Sequence, residues 1–257
     1  MSAQPQDAKA PLAKPKQAAA EVIAGRPGPT ARRWLGPTAL VVFILFLIDT
    51  YVVVNHLTIA EDLGTTLFVQ QFNWGPLVYP MQWINASAGY WQVLLGVVAI
   101  VALFIFERRA GWLMLIGSIS SLIDNIIKLI VSRDRPCSSA DPASCSTVDL
   151  VHILQPASGF SYPSGHAVFF TWMSFMIAVS IAPRVKPAYR PVLWILAFSV
   201  IFVTCLARVW AGDHWPSDVL GGVLLGIGWS AFVLWLPERW LPSPKFKWFR
   251  GRARSTS

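Results

Sequence analysis

Six long apolar runs, nearly free of charge, constrain this chain more than any other feature. They occupy residues 35–54, 90–106, 110–131, 167–182, 191–207 and 219–236. A helix needs roughly 20 apolar residues to cross a bilayer core. Several runs fall slightly short of that, and their flanks can extend them. A soluble domain of 257 residues could hide some apolar surface, but not six such runs. Only 13% of the residues are charged, against about 25% in an ordinary soluble domain. The expectation is an all-α polytopic membrane protein, a six-transmembrane-helix bundle.

The net charge of +8 does not indicate nucleic acid, because of where the charge lies. With the amino end inside, 17 of the 21 Lys and Arg residues fall in cytoplasmic segments. The positive-inside rule favours that orientation, with both termini cytoplasmic in a cell membrane. Residues 1–33 form a basic tail rich in Ala, Pro, Lys and Gln, expected to be disordered. Residues 34–240 form the membrane domain, and 241–257 a second basic tail resting on anionic lipid. A cleaved signal peptide is not expected.

Four cations remain on the outer side: Lys128, Arg133, Arg135 and Arg208. The outer segment between the first two spans carries Phe68, Phe72, Trp74, Tyr79 and Trp83, which suits short helices at the membrane interface and equally an ordinary packed loop. In the third span Gly117, Ser121, Asp124 and Lys128 recur at helical spacing and share one face. That face should look into the bundle, with Asp124 paired to Lys128 four residues on. Asp49, an acid inside the first span, is a candidate functional residue or, equally, an interfacial cap or a partner to an outer cation. Gly222 and Gly226 permit close helix packing, while His56 and His152 read as packing residues. Cys137 and Cys145 share an outer loop and are a disulfide candidate. The closed loop would contribute about 2–3 kcal/mol.

The outer polar residues fall into three segments. Lys128 is followed after six residues by Arg135-Pro136, and Pro163-Ser164-Gly165-His166 opens the fourth span. Arg208 is followed after five residues by His214, and after three more by Asp218. On the expected topology all three reach one membrane face. Three converging cations suit an anion with several oxygens, since guanidinium forks match phosphate. Ser164 and Gly165, just before a helix start, can add backbone donors. A neutral imidazole is a competent nucleophile, and a carboxylate on its second nitrogen can fix the tautomer. A second histidine can act as acid and base. The cations supply the charge stabilisation, so neither metal nor cofactor is expected.

Together these segments resemble the signature of the type 2 phosphatidic acid phosphatase and haloperoxidase superfamily, in its bacterial membrane lipid phosphatase branch. The resemblance implies roles. Lys128, Arg135, Arg208, Ser164 and Gly165 would bind phosphate. His214 would be the nucleophile, Asp218 its orienter and His166 the acid and base. The family's serine before the third-motif arginine is Ala207 here. Arg133 matches no fixed motif position and is left to contact headgroups or a second phosphate. The implied reaction is hydrolysis of a lipid phosphate or diphosphate at the outer face. Undecaprenyl diphosphate comes first, with phosphatidylglycerol phosphate and phosphatidic acid as the other classes. A lipid phosphotransferase uses the same constellation, and an inactive lipid-binding protein is the third possibility.

Overall fold

The computed structural model describes residues 29–136 and 159–236. The expectations for residues 1–28, the second tail, His152, Cys137 and Cys145 fall outside the described residues; residues 29–33, expected in the disordered tail, instead open the first helix, Pro29–Val54. Every described element is helical, as lipid demands: backbone polar groups find no partner in a bilayer core except within a helix or a closed barrel. In chain order the helices are α1 (Pro29–Val54), α2 (Ile59–Gln71), α3 (Val78–Ala86), α4 (Tyr90–Phe106), α5 (Arg108–Gly117), α6 (Ile119–Val131), α7 (Gly165–Ile181), α8 (Arg190–Trp210) and α9 (Pro216–Trp235).

Among the described residues, five segments are long and apolar enough to cross a membrane: Arg32–Val54, Arg108–Val131, Gly165–Arg184, Pro187–Trp210 and Pro216–Trp235. The expected second span is α4, whose 17 residues make about 26 Å of helix. It is bent 90° from the helical segment Gly75–Ala86, and counting this pair gives the sixth span. The bend falls at Gly89, whose φ of +64° is open to glycine and strained for other residues. The third span is two helices, α5 and α6, meeting at Ser118. Ser118 Oγ donates to the Leu115 carbonyl at 2.7 Å and Ser120 Oγ to that of Gly117 at 2.8 Å. Such back-bonding competes with the helix ladder, and Gly/Ser pairs are common break points.

Helices α7 and α9 form the centre, packed on each other, while α1 and α8 turn large apolar side chains outward. Leu47, Ile105, Ile130 and Phe202 are exposed, as lipid-facing residues should be. The core gathers Val168, Phe169, Trp172 and Met176 of α7 with Leu113 and Met114 of α5 and Leu225 of α9. Without a hydrophobic force between helices in lipid, close approach depends on small residues. A Cβ on Gly222 would lie 2.6 Å from the Ser164 carbonyl oxygen and 2.8 Å from the Ala167 Cβ. Gly222 therefore sets how near α9 lies to the start of α7. Gly222→Ala is expected to cost about 1–3 kcal/mol by overpacking and to lower the melting temperature in detergent. Gly64→Ala is the control. No neighbour lies within 4 Å of its added Cβ, and exchanging Gly for Ala in a helix should leave melting unchanged or raise it.

Candidate active site

Three helix ends build the site. On α6, Lys128 Nζ lies 2.5 Å from Asp124 Oδ1 and also donates to the Pro163 carbonyl. The expected ion pair is present, and it aims the lysine at the loop entering α7. That loop ends at Ser164, the N-cap of α7, whose backbone is extended. The Ser164 amide donates to the Asp218 carbonyl at 2.8 Å, so it is engaged inside the protein. Its buried hydroxyl has no partner. Gly165 lets Asp124 close in: an added Cβ would lie 3.0 Å from Asp124 Oδ2. His166 occupies the first turn of α7, buried, with Nε2 unpartnered.

From the last turn of α8, Arg208 is buried with its fork divided. Nη1 donates to Asn85 Oδ1 at 2.7 Å, and Nη2 pairs with Asp213 Oδ2 at 2.9 Å. Asn85 returns a bond from Nδ2 to the Ala207 carbonyl at 3.1 Å. Arg135 lies in the segment after α6. It donates to the Asp213 carbonyl at 2.6 Å and sits 3.2 Å from His214 Nε2 through the same Nη1. Burial pulls its guanidinium below the usual arginine range, with Asp213, Asp218 and Asp124 opposing. Arginine stays charged regardless.

His214 lies in the short connection between α8 and α9, 2% exposed by side chain. Burial holds its imidazole well below the usual 6.5, and the Arg135, Arg208 and Lys128 charges add to that. The ring is therefore neutral at neutral pH. Nε2 faces Arg135, which suits the tautomer carrying its proton on Nδ1. Nδ1 lies 3.6 Å from Asp218 Oδ2, longer than a hydrogen bond. Asp218 is fully buried at the start of α9 and accepts from the Trp215 amide at 2.9 Å.

The cations and histidines head a cavity of about 1070 Å³. Ser118, Ser121 and Asn125 line one wall, and Val93, Val97, Ile100, Phe169 and Trp172 line another. From Lys128 to Ser118 the lined face spans ten residues, or about 15 Å along the helix axis. The cavity thus runs from the polar cluster down between α4 and the α5–α6 span.

Two expectations need correction. Arg133 does not reach outward to headgroups. Its Nη1 donates to Asp218 Oδ1 at 2.7 Å and its Nη2 to Asp62 Oδ2 at 2.7 Å. Buried carboxylates need a counter-charge, and this arginine is placed to give it. Asp49 accepts a bond from the Tyr162 hydroxyl at 2.9 Å, not from an outer cation. Burial and the Asp49 charge push that phenol up. Sequence reasoning also passed over Asn85, Asp62 and Asp213. The one available signal was charge balance: cations left at a membrane surface call for acids nearby.

A helical membrane enzyme of phosphate-ester chemistry is the class these features define. The sequence profile of the PAP2 superfamily matches residues 106–242, and the chain belongs to that superfamily. An undecaprenyl-diphosphatase of Sulfolobus acidocaldarius is 24% identical over 190 residues, covering 73% of this chain and 76% of that protein. Phosphatidylglycerophosphatase B of Bacillus subtilis is 26% identical over 157 residues, covering 56% and 71%. Among solved structures, a PAP2-type phosphatidylglycerolphosphate phosphatase from Bacillus subtilis superposes with a TM-score of 0.62 at 22% identity. It covers 76% of this chain and 94% of that one, a likeness of fold.

Proposed function

We propose that this membrane phosphatase hydrolyses a lipid phosphate or diphosphate through a phosphohistidine on His214. The observation that carries this is the head of the cavity. There a neutral His214 and an unpartnered His166 nitrogen meet Lys128, Arg135 and Arg208, above a wall of apolar side chains. A headgroup phosphate can sit among the cations while its tail stays at bilayer depth.

The steps follow from the groups present. The three cations, with the Ser164 hydroxyl and the Gly165 backbone, hold the phosphate oxygens and spread their charge. His214 Nε2 displaces the lipid oxygen in line: an N–P bond forms, a P–O bond breaks, and His166 protonates the departing oxygen. Asp218 stabilises the imidazolium that results. His166 then takes a proton from water, whose oxygen attacks phosphorus as the N–P bond breaks; the electron pair returns to His214 Nε2, and free phosphate leaves. Orientation by the positive-inside rule puts this site on the outer side, with both termini cytoplasmic.

Among substrates we favour undecaprenyl diphosphate, with phosphatidylglycerol phosphate and phosphatidic acid as the competing classes. The test is phosphate release by purified protein in detergent with a chelator present, each lipid assayed beside His214→Ala. Release that persists under chelation, vanishes in the variant and is fastest with the diphosphate is expected. Folded protein that frees no phosphate without an added acceptor lipid would instead point to a phosphotransferase.

A further inference from the structure

A second polar cluster lies behind His214, where substrate does not reach. Its centre is Asp62 in the first turn of α2, only 3% exposed. Oδ1 accepts the Ser217 amide at 2.9 Å. Oδ2 accepts the Ser217 hydroxyl at 2.6 Å and Arg133 Nη2 at 2.7 Å. Arg133 Nη1 in turn binds Ser217 Oγ at 2.6 Å and Asp218 Oδ1 at 2.7 Å. One guanidinium therefore bridges two buried carboxylates.

We propose that Asp62 is a positioning residue for phosphoryl transfer: through Arg133 and Ser217 it fixes the carboxylate of Asp218, and thereby the ring of His214. The inference rests on the phosphatase function proposed above. Asp218 is held at both oxygens, by Arg133 on Oδ1 and by the Trp215 amide on Oδ2. Its plane cannot turn without breaking a charge-assisted bond. The remaining face of Oδ2 looks at His214 Nδ1 across 3.6 Å. That gap must shorten as the imidazole gains positive charge on attack, so a small displacement of Asp218 acts on the transition state. Arg133 alone is a flexible side chain. Asp62 supplies the second anchor that makes it rigid, and its bond to the Ser217 amide locks the start of α9 in the same register.

Asp62 lies outside residues 106–242, the stretch matched by the superfamily. A helix beyond that stretch therefore completes the rear wall of the site.

The experiment uses full-length protein in detergent, comparing wild type with Asp62→Asn and Asp62→Glu. Asp62→Asn should lower kcat by about ten- to a hundredfold, the range for lost outer-shell partners of catalytic groups. KM should stay within about threefold, because the interaction matters only in the transition state. Asp62→Glu should recover part of the loss. Calorimetric binding of orthovanadate, a mimic of the transferring phosphoryl group, needs no turnover. Its affinity should fall about tenfold in Asp62→Asn while inorganic phosphate, held by the three cations, binds as in wild type. Wild-type kcat and vanadate affinity in a folded Asp62→Asn would overturn the inference. So would an equal loss of vanadate and phosphate binding, which marks a packing role only. If wild type freed no phosphate from any lipid, the phosphatase proposal would fail alone, and the vanadate comparison would still decide the role of Asp62.

Discussion

His214→Ala is expected to lower phosphate release by at least about 10³-fold, the largest effect of any single substitution in the protein. A catalytic group that forms the covalent intermediate has no substitute, and removing one member of such a unit costs most of its advantage. Binding should survive, because Lys128, Arg135 and Arg208 remain, so inorganic phosphate affinity should change little. Acid-labile, base-stable labelling of wild type with radioactive phosphate, absent in His214→Ala, would identify the phosphohistidine. Slowed turnover with increased labelling in His166→Ala would place the second histidine in the water step. The pH profile gives a further check. Burial, then the Arg135, Arg208 and Lys128 charges, lower the affinity of His214 for protons. Protonation removes its nucleophilic lone pair, so activity falls on the acid side. Because the folded value is depressed, that fall in kcat/KM should lie below about pH 6.5, the ordinary histidine value. Arg135→Gln, which removes one of the charges responsible, should move the acid limb upward. Full activity in His214→Ala would sink the mechanism outright.

The spans and the chemistry-bearing residues were legible in the sequence for different reasons. Hydropathy alone marks runs such as 191–207, because lipid tolerates little else. Lys128, His166, His214 and Asp218 stood out because each sits at fixed spacing beside a span end, so that covalent connection and one shared membrane face nearly define the cluster. What stayed hidden depends on contacts far apart in sequence. Nothing local says that Arg133 turns inward to Asp62, 71 residues away, while Arg135, two positions on, reaches the Asp213 carbonyl. Nor does periodicity reveal that Asn85 meets Arg208 across 123 residues. The Ser164 amide was read as a free donor from its place at a helix start. Its bond to the Asp218 carbonyl arises only because Gly222 lets α9 come so close. The 90° bend at Gly89 was missed for a simpler reason: apolar content locates a helix but does not say in which direction the next one leaves.

Arg208 allows its structural and substrate-binding roles to be separated, and the second large effect is expected there. The side chain is 4% exposed and paired with Asp213, itself 6% exposed. Removing one partner of a buried ion pair takes away much of the other's counter-charge and costs up to about 3–5 kcal/mol. Asn85 Oδ1 loses its donor as well. Arg208→Ala should therefore melt at clearly lower temperature and should also lose activity, and alone it would prove nothing about phosphate. The double variant Arg208→Ala with Asp213→Asn removes the carboxylate charge that the lost guanidinium faced, so much of the lost stability should return. Activity should not return with it. A missing donor to the charge that develops on a transferring group is worth about 10²–10³ in rate, and phosphate affinity should drop in parallel. Arg208→Lys keeps the charge but loses the planar fork that divides between Asn85 and Asp213, so it should be stable and slow. A double variant that is both stable and active would show that Arg208 serves only to hold α8 against Asp213 and Asn85, leaving Lys128 and Arg135 to bind the phosphate. Stability regained without activity would mean that this arginine carries out both tasks, and that its buried partners exist to keep its remaining donors aimed into the cavity.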